Sequence, residues 1–118
     1  MKPKTLTQTF NDGVVDICSV ENISQPGNMP KDGLVLKIKG LRYAEKTVGM
    51  NRYWTALQNQ AQITQMIRTQ RINSVNVHDV AVLNGKQYDI VQIQYIQDIE
   101  PSCMDLSLER LEVEYEIN

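Results

Sequence analysis

The chain has 118 residues, 42% of them hydrophobic and 22% charged, with a net charge of −2. This is the usage of one ordinary globular domain able to bury a modest core without staples, which excludes a wholly disordered chain. No apolar run approaches the roughly 20 residues that span a bilayer, and the basic start Met1-Lys2-Pro3-Lys4 has no apolar stretch behind it, so the expectation is cytoplasmic synthesis with no secretion signal and no membrane partner.

Residues 1–12 are polar and are expected to fray, leaving 13–118 as a single domain. Val14 to Val20 is rich in β-branched residues and reads as a short strand. Glu21 to Gly33 holds Pro26-Gly27, Asn28, Pro30 and Asp32-Gly33, a density of turn residues that marks a long Pro/Gly loop. From Leu34 to Tyr43 a strand resumes, with Leu34, Leu36 and Ile38 alternating with Val35, Lys37 and Lys39. One face is therefore expected to be apolar and the other basic. Gly40 interrupts it, and Leu41 and Tyr43 continue the apolar face in the opposite phase, as a bulge requires.

Met50, Tyr53, Trp54, Leu57 and Ala61 fall at helical spacing and predict one short helix over residues 50–61, with Tyr53 and Trp54 seating it on the sheet. Gln62 to Arg71 alternates as a strand, although Ile63 and Ile67 also suit a continuing helix. Val80 to Leu83, Asn84-Gly85 and Lys86 to Gln97 form the clearest hairpin signal, because a type I′ turn needs positive φ at both central residues. Tyr88 and Ile90 hold one phase of that second strand, and Val91, Ile93 and Tyr95 the other. Met104 to Tyr115 supplies a further strand, its phase change near Glu109-Arg110 read as a second bulge. The fold expected is mainly β: a small, bent antiparallel sheet or barrel with one helix.

Chemical motifs are sparse. Cys18, Cys103 and the single histidine, His78, share no metal-ligand spacing, so no zinc site and no disulfide is predicted. Asp79 adjoins His78 in sequence, which on a strand puts the two on opposite faces and makes a poor triad. No phosphate-binding glycine loop occurs. No catalytic, cofactor or metal residues are assigned, and enzyme activity is not predicted. Lys37, Lys39, Arg42, Tyr43 and Arg52 come nearest to a nucleic-acid surface.

The charge is unevenly spread. Lys31, Lys37, Lys39, Arg42, Lys46, Arg52, Arg68 and Arg71 fill the middle of the chain. Asp79, Asp89, Asp98, Glu100, Asp105, Glu109, Glu112, Glu114 and Glu116 dominate the last third. Opposite patches of this kind steer association between copies. Lys31, Lys37, Lys39, Arg42 and Arg52 are candidates for the basic side of such an interface, and Asp98, Glu100, Glu112 and Glu114 for the acidic side.

The order of parts also carries a resemblance. After the first strand, loop and long strand come Glu45 and then Arg52-Tyr53-Trp54-Thr55-Ala56. Ile67-Arg68-Thr69-Gln70-Arg71 follows, then the run Val75 to Leu83, Asn84-Gly85-Lys86-Gln87-Tyr88-Asp89-Ile90, and a closing strand from Met104 to Leu111. Over about residues 12–111 this resembles the head–tail adaptor (head-closure or connector) family of long-tailed double-stranded DNA phages and prophages. The opening strand departs from that family's His-Arg-aliphatic start, showing Val15-Asp16-Ile17-Cys18. The resemblance implies a β-barrel with a helix and long loops, no cofactor, and a ring of about twelve copies. It further implies a location at the head–tail interface of the virion, after synthesis in the bacterial host cytoplasm. There the ring would contact portal or adaptor and tail-completion proteins and pass DNA without reading its sequence, the isolated subunit being monomeric. Another minor virion or tail-completion protein, or an oligonucleotide-binding barrel, is the alternative.

Overall fold

The computed structural model describes residues 6–46, 63–97 and 99–117. Its strands are β1 (Leu6–Thr7), β2 (Gly13–Asn22), β3 (Asp32–Lys46), β4 (Gln65–Gln70), β5 (Val80–Leu83), β6 (Lys86–Ile96), β7 (Ile99–Glu100), β8 (Cys103–Arg110) and β9 (Glu116–Ile117). The chain is mainly β, and the helix predicted over 50–61 lies outside the described residues.

Hydrogen bonding runs β2-β5-β6-β8-β4-β3 and returns to β2, so six strands close on themselves; β9 adds to β3 outside the ring of pairings. Closure satisfies backbone groups that an open edge would expose. Val15, Ile17, Tyr43, Ile67, Leu83, Ile90, Met104, Leu106 and Leu108 fill the interior, and Val75 joins them from the connection before β5. Each buried aliphatic side chain contributes about 1.5–3 kcal/mol relative to exposure, so this cluster dominates stability.

Closing so few strands demands sharp bending, and bulges supply it. On β3, Leu41 pairs with Val15 but Ile38 pairs with Ile17, leaving one extra residue at Lys39-Gly40. Gly40 takes φ 69°, and its N–H donates to Asp16 Oδ1 at 2.8 Å. A second extra residue, Lys37, separates Ile38 from Leu36, which pairs with Cys18. On β6, Ile90 pairs with Leu108 and Gln92 with Ser107, so Val91 is the extra residue. Ile90 and Ile93 therefore both reach the core although three positions apart.

The bulge read at Gly40 is present. The one at Lys37 is not legible in the alternation, and it overturns the expected apolar face: Leu36 is 51% exposed. The phase change near Glu109-Arg110 is no bulge. There β8 ends, and Leu111 and Tyr115 cross to the outside of the barrel, packing on a second cluster of Cys18, Leu34 and Val80.

The Asn84-Gly85 turn matches its prediction, with φ of 52° and 77°. Gln65–Gln70 is a strand and not a helical extension. The expected 21–33 loop is shorter, because Glu21 pairs with Gly33 and Asn22 with Asp32; backbone ladders extend through residues of poor β propensity once neighbours hold register. Residues 6–12, part of the 1–12 stretch expected to fray, make backbone pairings with the barrel and with β7. β1 pairs in parallel with β7, and the Asp12 N–H donates to the Tyr43 carbonyl while its carboxylate accepts from Glu45 N–H.

Burial pushes the Cys18 and Cys103 thiols above the ordinary value of 9.0, Asp16 and Asp79 adding to the effect at Cys18. Burial, with Glu45 and Asp12, likewise raises the Tyr43 phenol. In each case the folded chain keeps its proton to higher pH than the unfolded chain, so the stabilisation is complete below the unfolded value and fades as pH climbs through the folded one. The urea midpoint is expected to fall as pH climbs above the ordinary thiol value of 9.0, and Cys18→Ala should flatten part of that decline.

Candidate assembly surfaces

The basic candidates divide once the bulges are in place. Lys39 and Arg42 are exposed on β3, flanking Gly40. Arg42 pairs across the ladder with the exposed Val14 and lines a hollow of about 180 Å³ with Phe10, Asn11, Gly13 and Val14. Lys31 is exposed at the end of the hairpin loop and forms an ion pair with Glu116. Lys37 behaves differently. As the extra residue of its bulge it turns toward the 74–79 segment, its side chain 24% exposed. Its Nζ donates to the Ser74 carbonyl and to Asp79 Oδ2, both at 2.7 Å. The same Asp79 oxygen accepts from the Asn76 N–H at 2.9 Å. Lys37 is thus an internal tie, not part of a free basic face. Arg52 lies outside the described residues.

Among the acidic candidates, Glu100 is exposed on β7 and Glu112 is exposed just beyond β8. Glu114 accepts a hydrogen bond from the Gln87 N–H at 2.9 Å and is committed within the molecule. Asp98 lies outside the described residues. Glu112 borders an open cleft of about 500 Å³ lined also by Thr64, Asp89, Glu109, Arg110 and Leu111.

Asp89 and Glu109 belong to the acidic run of the last third but not to the interface candidates, yet they sit directly opposite one another on β6 and β8. Facing like charges destabilise a sheet, and an imidazole and a guanidinium stand nearby. His78 Nδ1 lies 3.3 Å from the Asp89 carboxylate, and Arg110 lies 5.9 Å over the Tyr88 ring. The signal for this cleft is the β6/β8 register, which no local pattern encodes.

Other charges serve the fold. Arg68 and Asp105 face each other across β4 and β8 in a two-pronged ion pair, with contacts of 2.6 and 3.0 Å, both side chains largely buried. The hydrogen bond to Asp105 pushes the Arg68 pKa up further. Arg71 stacks over Tyr95 at 4.3 Å. Asp79, the sequence neighbour of His78, turns inward to Lys37, while the imidazole stays 77% exposed beside Asp89. Among the described residues no three His, Cys, Asp or Glu side chains gather as a metal site would need.

β3 stands three strands from β6 in either direction around the closed ring of pairings and two from β8, so the Asp89 and Glu109 of the cleft are carried on strands that do not adjoin the one bearing Lys39 and Arg42. Comparison of the chain with protein-family models, with curated proteins and with solved structures gave no match.

Lys37→Glu is expected to destabilise by about 3 kcal/mol, since it places an acid against Asp79 in a partly buried site. Lys39→Glu should stay within about 0.5 kcal/mol of the parent. Urea unfolding of the two variants checks the division.

Proposed function

We propose that this chain is a structural subunit of a phage or prophage head–tail connector. Its copies form a ring at the portal vertex that closes the DNA-filled head and gives the tail its docking platform. The observation that carries the reading is the separation of the two charged surfaces, which are carried on strands that do not adjoin. A head-to-tail interface is heterologous, joining one side of each subunit to the other side of its neighbour, and such contacts close into a ring where the rotation between neighbours completes a full turn. Lys39 and Arg42 on one surface, and Asp89, Glu109 and Glu112 on the other, supply the complementarity that sets register.

The order of strands, turns and polar segments described for the connector family adds to this. An overall acidic subunit suits a channel that must let DNA slide, because phosphate contacts made with many lysines and arginines would hold it fast. The partners proposed are other copies of the chain, a portal or adaptor ring and tail-completion proteins, and the location is the head–tail junction of the virion.

Lys39→Glu/Arg42→Glu should fold normally yet fail to form rings on portal-bearing heads. Combining it with Glu109→Lys/Glu112→Lys should recover part of the assembly. Electron microscopy of reconstituted heads reads the outcome, and rings formed equally well by the reversed variant would sink the proposal. Salt-dependent binding of single-stranded DNA lost with Arg42 and Lys39 would favour the oligonucleotide-binding alternative.

A further inference from the structure

The segment 111–117 is held to the barrel in an unusual way. Beyond Arg110 the chain leaves the sheet, and only β9 pairs again, in parallel, through Gly33–Glu116 and Leu34–Ile117. Between these points a single side chain replaces a ladder. The Gln87 amide donates to the Tyr115 carbonyl at 2.8 Å and accepts the Tyr115 N–H at 2.8 Å, reading one residue's backbone on both groups. The Gln87 main chain adds two more bonds, its N–H to Glu114 and its carbonyl to the Leu111 N–H.

Three features make this strap separable from the barrel. The six-strand closure does not include β9, so the ring of pairings persists without it. The strap's own ladder is two residues long, against eight pairs between β6 and β8, and short ladders open first. Its bend at Glu112 and Val113 is exposed, Val113 at 84%, and can serve as a hinge.

The barrel cannot leave the vacated groove empty at no cost. Gln87 is 4% exposed and would lose the partners of both its amide groups, while Cys18, Leu34 and Val80 would lose their cover. The groove is built for one kind of occupant: an extended segment with an aromatic residue where Gln87 clamps and an acid one place later to meet Lys31. The strap of a second copy has that sequence by construction.

We infer that residues 114–117 are an exchangeable arm, docked on their own barrel in the isolated chain and on the same groove of a second copy in an assembly. Exchange keeps every contact and alters only the hinge, the economy that makes strand swapping a low-cost route to association. The inference does not depend on the connector reading, since any two copies can make the contact.

Lys31 and Glu116 are exposed partners, so cysteine at either position should fold. K31C and E116C chains, mixed at high concentration, warmed briefly and treated with a short bis-maleimide that spans the two positions, are expected to give a mixed cross-linked dimer well above the level either chain forms alone. The double variant K31C/E116C should give linked monomer together with covalent dimer. Gln87→Ala should speed formation of the mixed dimer. The inference is overturned if the mixture gives no more dimer than the single chains while the double variant links wholly within one molecule, or if the double variant does not link at all. Loss of ring assembly on charge reversal, with exchange intact, would separate this result from the connector test.

Discussion

Everything in this molecule rests on the long pairing of β2 with β3, which turns a sheet into a closed barrel. That closure forces curvature on strands that would otherwise run straight, and the chain meets the demand with extra residues at Lys37, Lys39-Gly40 and Val91. Each extra residue flips the side chains beyond it, so curvature and the assignment of inside and outside are one decision. By contrast β8 carries no bulge. Met104, Leu106 and Leu108 point inward without interruption, and Cys103, Asp105 and Ser107 are buried on the other face.

The polar interior follows from the same geometry. A bulge residue has no place in the regular ladder, and Lys37 uses its freedom to bond the 74–79 segment, fixing the entry to β5. Arg68 and Asp105 sit opposite each other on the covered face of β4 and β8, where an unpaired charge would be costly. Their pairing leaves Lys39 and Arg42, and the acids of the Asp89/Glu109 cleft, among the charges still able to meet a partner. The proposed ring contact uses what folding has left over.

What could be read from residues alone was what local chemistry encodes. Asn84-Gly85 fixes its turn because few other pairs accept positive φ twice, and Gly40 betrays a bend for the same reason. The Lys37 bulge has no such marker; the residue looks like an ordinary polar position in an alternating strand. The facing of Asp89 and Glu109 depends on β6 meeting β8 across an intervening segment, with the Val91 bulge shifting the count. Leu111, Val113 and Tyr115 alternate as a strand would, yet only Leu111 and Tyr115 are covered, and Val113 stands exposed at a bend between them. Pattern reports extension and sidedness, and it is silent on which neighbour lies alongside.

The hairpin loop offers a practical consequence. A hydrogen bond from Ile23 N–H to the Lys31 carbonyl at 2.8 Å closes its base, and Asn22 Oδ1 gathers the N–H and hydroxyl of Ser24 just inside. Past that seal, Gln25 to Asn28 make their own reverse turn and Met29 projects freely into solvent. A reporter epitope or fluorophore-binding tag grafted at Gly27-Asn28 would therefore ride on the molecule without disturbing the barrel's register, because its added length lies wholly beyond a base that is already closed.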